Sequence, residues 1–318
     1  MKKMVFRTVV AAVLCFVVTL SAAAAQMLVP VGKVVGLSLV DGSVTVVAFD
    51  ETLGTAAQAA GLQVGDEILS VNGKNIDTAS DLHQALKKSD GSVKLTVKRN
   101  RQEHTISVNP AVSDQGPRLG VYIREGVTGI GTVTYYDPDS GTFGALGHGV
   151  SDSRGKLAQM NSGCIYQATV TSVRQGVCGK PGQLRGSVSA SQPIGNLQIN
   201  CGSGVFGSCE AFSGEALPTG QAQVGPAKIL SNVNGDAVET FSVEITKLYD
   251  CTDGNGRDLM LKVTDSQLLD TTGGIVAGMS GSPILQDGKL VGAVTHVLVN
   301  DPQTGYGIFI ENMLEAAG

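Results

Sequence analysis

Over residues 34–50, VVGLSLVDGSVTVVAFD, β-branched and apolar positions cluster on both sides of Asp41-Gly42, which predicts two strands around a tight turn. The next stretch, AAQAAGLQVGDEILSVNGKNI, is punctuated by Gly61 and Gly65. In it Ile68, Leu69 and Val71 read as a strand, and Asn72-Gly73 as a hairpin turn of the kind that needs positive φ. The period then changes. In DTASDLHQALKK, Ala79, Leu82, Ala85 and Leu86 fall on one helical face behind a cap at Asp77 or Thr78. Strands over 92–98 and 103–108 follow, and the Pro-, Gly-, Ser- and Asp-rich stretch ending at 118 reads as a linker, 110–118. From Leu119 onward, short strands such as 119–124, 127–136 and 165–174 alternate with turns like Asp139-Ser140-Gly141, and no useful helical period returns before 310–317. That spacing predicts a barrel or sandwich of about 200 residues.

The N-terminus has a different pattern. MKKMVFR supplies Lys2, Lys3 and Arg7, and TVVAAVLCFVVTLSAAAA continues as an apolar run of about 18 residues with a small-residue end. Residues 1–25 are therefore an export signal cut near Ala23–Ala25 or a retained membrane anchor. Cys15 lies inside the apolar run with Leu14 before it, which argues against a lipoprotein anchor.

Composition narrows the classes. The 318 residues allow two cores, and 42 Gly against 10 Pro, 16% charge and no Trp suit a turn-dense, mainly β protein. Net charge is −5 and no run of Lys or Arg exceeds a pair such as Lys87-Lys88, so a nucleic-acid partner is discarded. The five later cysteines, Cys164, Cys178, Cys201, Cys209 and Cys251, make one or two disulfides an expectation for an exported chain. No HExxH or comparable spacing occurs, and no histidine stands at ligand spacing from the cysteines, so neither a metal nor a cofactor is expected.

The run Ala60-Gly61-Leu62, Gly65-Asp66 and Val71-Asn72-Gly73, with Gly36-Leu37-Ser38-Leu39 ahead of it, resembles a PDZ domain. The resemblance implies an α+β, partly open barrel over 30–109. It also implies a peptide-binding groove between residues 36–40 and the helix at 78–88, with Gly36, Leu37, Ser38 and Leu39 as the carboxylate-binding loop. His83 lies on that helix; His104 sits in a polar strand and is assigned no role.

Chemistry concentrates in the second module. A serine hydroxyl becomes a nucleophile only when a base takes its proton and donors face the developing oxyanion. In AGMSGSPILQDGKLVGAVTHV, Gly278 and Gly281 let the chain bend tightly around Ser280, so that two backbone N–H groups converge on one point. Pro283 fixes the exit into a strand, Asp287-Gly288 turns it, and 290–297 returns, offering a substrate its edge. Of the two histidines in this module, His148 stands accessible between glycines in GALGHGVSD, and His296, on a strand, is the weaker candidate base.

At these residues, and through KVTDSQLLDTTGGIVAGMSGSPILQDGKLVGAVTHVLVNDPQTGYGIFIENML, nearly the whole chain resembles the SpoIVB family of sporulation serine peptidases of endospore-forming bacteria. The resemblance implies a chymotrypsin-like β-barrel peptidase domain over 119–318. It assigns Ser280 as nucleophile, His148 as general base, and the Gly278 and Ser280 N–H groups as oxyanion hole. The family's acid falls at Asp265, with Asp236, Asp250 and Asp258 as alternatives because 265 lies unusually close to the serine. Met279 replaces the aspartate that pairs with a freed N-terminus in chymotrypsin-like zymogens. The family further implies an exported endopeptidase between the mother-cell and forespore membranes. It would cut itself and a membrane-protein regulator of an intramembrane protease, so that a late sigma factor is activated. The competing reading is an exported PDZ adaptor on an inactive peptidase scaffold.

Overall fold

The computed structural model describes residues 25–114, 116–152, 155–249 and 256–318; the export segment, Asp250 and Cys251 lie outside these. The first stretch holds β1 (Met27–Pro30), β2 (Val34–Phe49), α1 (Thr55–Ala59), β3 (Glu67–Val71), β4 (Lys74–Asn75), α2 (Ala79–Lys87), β5 (Val93–Arg99) and β6 (Gln102–Val108). A short pair, β7 (Ala111–Ser113) and β8 (Gly116–Arg118), leads into β9 (Val121–Asp137), β10 (Thr142–Ala145), β11 (Ser162–Arg174), β12 (Gln183–Cys201), β13 (Gly204–Cys209) and β14 (Leu217–Pro218). The remainder is β15 (Gly225–Ser231), β16 (Glu239–Leu248), β17 (Leu259–Val263), α3 (Ser266–Thr272), β18 (Pro283–Gln286), β19 (Lys289–Leu298), β20 (Asp301–Phe309) and α4 (Ile310–Ala317).

Two rings of strands organise the molecule. β2 runs antiparallel to β9, from Val34 opposite Thr132 to Leu39 opposite Val127, and on its other side to β11, from Val35 opposite Gln167 to Val40 opposite Ser162. The pairs β9–β10, β10–β13, β13–β12 and β12–β11 close this circuit into a six-stranded barrel. Its interior is filled by alternate residues such as Val35, Leu37, Leu39, Val133, Phe143, Ile165 and Val205. A second closed barrel runs β15-β16-β17-β20-β19-β18 around Ile229, Phe241, Ile245, Leu261, Ile284 and Val294. Between the barrels, Leu28, Tyr135, Phe206, Leu290 and Ile308 pack with Ile310 and Met313 of α4.

The PDZ-like module is inserted into the first barrel. Beyond a register shift at Leu39/Val44, β2 continues as 44–49, paired with 121–125 of β9, and β3, β5 and β6 extend that sheet. Its core is separate, built from Val44, Val46, Ile68, Leu82, Leu86, Leu95 and Val97. The expected local devices are present: Asn72 and Gly73 have φ of 51° and 79° in the β3–β4 turn, and the Thr78 hydroxyl caps α2 by accepting from Asp81 N at 3.1 Å. Asp66 of the Gly65-Asp66 pair is fully buried and takes a two-pronged ion pair from Arg99 at 2.6 and 2.7 Å.

Four expectations change here. Val34–Phe49 form one long strand, because pairing with β9 and β11 holds 34–40 in the first barrel and leaves Asp41-Gly42 as an irregularity within it. Gly36, Leu37, Ser38 and Leu39 are therefore barrel residues with both strand edges occupied, and cannot receive a peptide carboxylate. The expected linker, 110–118, folds as the β7–β8 pair. Cys164, Cys178, Cys201 and Cys209 are free thiols, so no disulfide joins the described cysteines.

Candidate active site

His148 comes from the first barrel and Ser280 from the second, and both line one cleft of about 530 Å³ together with Gly278, Gly149, Leu146 and His296. The turn that ends β10 presents the histidine. Leu146 and Gly147 have φ of 69° and 67°, and a Cβ at Gly147 would stand 2.8 Å from side-chain carbons of Thr295 and Ile308. The left-handed backbone costs about 1–2 kcal/mol at Leu146, and burial of its side chain in the barrel core accompanies it.

Ser280 sits in a turn held on every side. Met279 N donates to Val276 O at 3.1 Å, Ser282 N to Met279 O at 2.9 Å, and Gly281 N to Val294 O at 2.7 Å. At Gly281 φ is +94°, and a Cβ would lie 2.0 Å from the Thr132 carbonyl oxygen, so only glycine fits. Thr132 of β9 ties the barrels together: its N–H donates to Ser280 O at 2.9 Å, its hydroxyl donates to Gly278 O at 2.8 Å, and its carbonyl accepts from Leu146 N at 3.1 Å.

This turn leaves two amides unused. Ala277 O accepts from Leu184 N and Met279 O from Ser282 N. In a trans peptide the N–H opposes the C=O, so the Gly278 and Ser280 N–H groups point away from those donors. Neither amide has a hydrogen-bond partner among the described residues. Two unpaired donors flanking an accessible hydroxyl form a site for a developing oxyanion.

The histidine's environment fixes its tautomer. His148 Nδ1 lies 3.0 Å from Gly149 O, and because a carbonyl only accepts, Nδ1 carries the proton and Nε2 is left as the basic nitrogen. Burial lowers the His148 pKa, partly opposed by this bond to Gly149. The His296 ring lies 5.1 Å away, centroid to centroid. Its pKa is driven to about 4, first by burial and then by His148 and Arg257, and its buried Nδ1 has no partner among the described residues. The Ser280 hydroxyl donates to Thr295 O at 2.8 Å rather than to His148, so it must turn from that carbonyl to be deprotonated.

The expected acid is elsewhere. Asp265 is the N-cap of α3, its two oxygens accepting from Leu268 N and Ser242 N, each at 3.1 Å, and it does not line the cleft. Of the alternatives, Asp258 is buried and accepts from Phe309 N and Asn312 Nδ2 at the start of α4, and Asp236 is absent from the cleft lining. Thr132, Thr295 and the Gly149 carbonyl were not legible as site groups, since each acts through a contact distant in sequence or through main chain.

A second hollow, also about 530 Å³, lies between α2 and residues 119–123. Leu82, His83 and Leu86 form one wall and Leu119-Gly120-Val121 the other. Asp50 N donates to Gly120 O at 2.8 Å, and Ala79 N donates to the Glu125 carboxylate, so β9 and α2 are held as the two sides of a groove. The helix was expected as one wall; the opposite wall is the start of β9 instead of residues 36–40.

Comparison with known proteins agrees with this layout. The SpoIVB peptidase S55 family model matches residues 115–314, and a PDZ domain model matches 52–99. Among curated proteins, Serine protease HTRA1 of Xenopus tropicalis is 39% identical over 56 residues, and Tight junction protein ZO-3 of Canis lupus familiaris 41% over 63, or 18% and 19% of this chain. These matches span only 12% and 7% of the relatives' own lengths. Among solved structures, the Rv3671c protease from M. tuberculosis in its active form is 15% identical over 60% of this chain and 75% of that one, with a TM-score of 0.35. The PDZ domain of the SdrC-like protein from Listeria monocytogenes is 18% identical over 25% of this chain and 85% of that one, with a TM-score of 0.22.

Proposed function

Because the chain belongs to the SpoIVB peptidase S55 family, and so is a serine peptidase with an inserted PDZ domain, we propose that Ser280 is its nucleophile and His148 its general base. The observation that carries this reading is the shared cleft, in which a hydroxyl and a half-buried imidazole lie beside two amides that are unpaired among the described residues. In the reaction, Ser280 Oγ leaves Thr295 O, His148 Nε2 takes its proton, and Oγ attacks the substrate carbonyl. The Gly278 and Ser280 N–H groups receive the oxyanion, and His148 returns the proton to the departing amine. Gly149 O holds the imidazole tautomer, a task more often given to a carboxylate. Beyond Val294, β19 is paired among the described residues by β20 alone, and its other edge takes the acyl half of the substrate as an added strand.

The reading extends to a signalling cut. On the strength of the family, the enzyme acts outside the cytoplasm between mother cell and forespore, held at the membrane by residues 8–25 or released from it. It cleaves itself and a membrane-protein regulator of an intramembrane protease. The groove between α2 and residues 119–123 binds a chain end of the substrate or of the enzyme.

Labelling with a fluorophosphonate probe tests the chemistry. Wild type is expected to form an adduct at Ser280 and Ser280→Ala none; equal labelling of the two proteins refutes the assignment.

A further inference from the structure

Beside the cleft along β9 lies a third hollow, of about 630 Å³, and Leu37, Thr128, Gly129 and Ile130 line both. A Cβ built at Gly129 meets no atom within 4 Å, and its φ is not in the left-handed region, so neither packing nor backbone conformation requires glycine at this position. The neighbouring glycines differ: a Cβ at Gly131 would stand 2.0 Å from Leu146 Cδ2, and one at Gly36 would stand 2.5 Å from Val188 Cγ1. Gly129 leaves bare the stretch of β9 that the two hollows share.

The far hollow is walled by Ile130, Leu184, Val188 and Tyr166, with Arg185 on its lining. Leu184 is fully buried, and Val188 is 39% exposed although apolar. Leu184 also donates its N–H to Ala277 O, the residue before the first oxyanion amide. The hollow is thereby fixed to the same turn that presents Ser280.

Resting on the assignment of Ser280, we propose that Gly129 is a specificity-determining residue: the leaving half of the substrate crosses its bare backbone and places a large apolar side chain against Ile130, Leu184 and Val188. The acyl half lies along the free edge of β19, at the His296 end of the cleft. The other half must leave by the opposite end, and that end is the one over Gly129. A peptide is held there by an apolar contact that a substrate with no residues beyond the cut bond does not make.

The test compares two substrates with full-length enzyme. One is a peptide extending four residues past the cut with a leucine or phenylalanine among them; the other is a nitrophenyl ester of the same acyl half. In Gly129→Leu the ratio of kcat/KM for peptide over ester should fall about tenfold or more, the range a single apolar subsite contact commands. In Val188→Asp, at the partly exposed wall, the same ratio should fall in the same direction. An unchanged ratio in both variants overturns the proposal. If Ser280→Ala hydrolyses the ester as fast as wild type, it is the assignment of Ser280 that fails. Ester turnover that depends on Ser280 together with an unchanged ratio rejects the subsite alone.

Discussion

Thr132→Val removes one hydroxyl from the point where the two barrels meet. Thr132 is fully buried, and valine keeps its shape, its β-branching and both backbone bonds, to Ser280 O and from Leu146 N. What disappears is the 2.8 Å bond to Gly278 O. A carbonyl deprived of its donor costs about 1–3 kcal/mol when water cannot replace it. Gly278 is only half-buried, so the loss in stability should lie near the lower figure, about 1 kcal/mol, or a Tm lower by about 2–4 °C. Activity should suffer more than stability. The freed carbonyl lets the Gly278–Met279 peptide turn, and the Ser280 amide moves with it. Complete loss of one oxyanion donor costs about 10²- to 10³-fold in turnover, and a displaced donor a fraction of that, so kcat/KM should fall about 10- to 100-fold. Thr132→Ser retains the hydroxyl and should recover most of the loss. The assay is peptide hydrolysis with fluorophosphonate labelling rates, alongside thermal unfolding. Wild-type kcat/KM in Thr132→Val, or equal loss in the valine and serine variants, would refute the argument that this bond holds the turn.

Three further outcomes follow from the same geometry. Burial keeps the His148 pKa below the ordinary 6.5, so kcat/KM should hold as the pH is lowered through 6.5 and drop only further down; an acid limb centred above 6.5 contradicts this. His296 titrates at about 4 when folded and near 6.5 when unfolded. The unfolded chain therefore binds more protons between those values, and stability should drop as the pH is lowered from 6.5 to 4 by on the order of 2 kcal/mol, allowing for screening at a partly exposed ring. Asp265→Ala removes the cap of α3 and the bond from Ser242 N, each worth about 1 kcal/mol, so denaturant unfolding should report a loss near 2 kcal/mol. Lost activity with unchanged stability would instead place that carboxylate in the reaction.

The strands and the two site loops were legible because their signals are local. Asn72-Gly73, the Thr78 cap and the glycines around Ser280 each act within a few residues of themselves, where spacing alone carries the information. The triad acid was not legible. Asp265 came from the family resemblance alone, against its short distance from the serine, and the residue instead caps a short helix, with Leu268 N and Ser242 N as its partners. The groove was misplaced for a related reason. Gly36-Leu37-Ser38-Leu39 and Leu119-Gly120-Val121 are both small-and-apolar runs entering a strand. Only pairing decides between them: the first is paired on both edges, while the second faces α2 across a hollow.

Pairing also explains why a division at the expected linker misrepresents the molecule. A chain beginning at 119 would contain β9 and β11 without Val34–Val40 between them, leaving the first barrel open on the side where Leu37 and Leu39 fill its core. The PDZ module is reached and left through β2 and β9, adjacent strands of that barrel, so both of its connections are continuous β-structure instead of flexible chain. β9 alone pairs within the module at Val121–Glu125, lines the catalytic cleft at 127–130 and holds the serine turn through Thr132. The groove wall and the turn that carries Ser280 are therefore set by one backbone segment. Family matching by sequence divides the chain at 99 and 115 because local patterns follow the order of residues, whereas the barrel is closed by a strand that precedes the insertion.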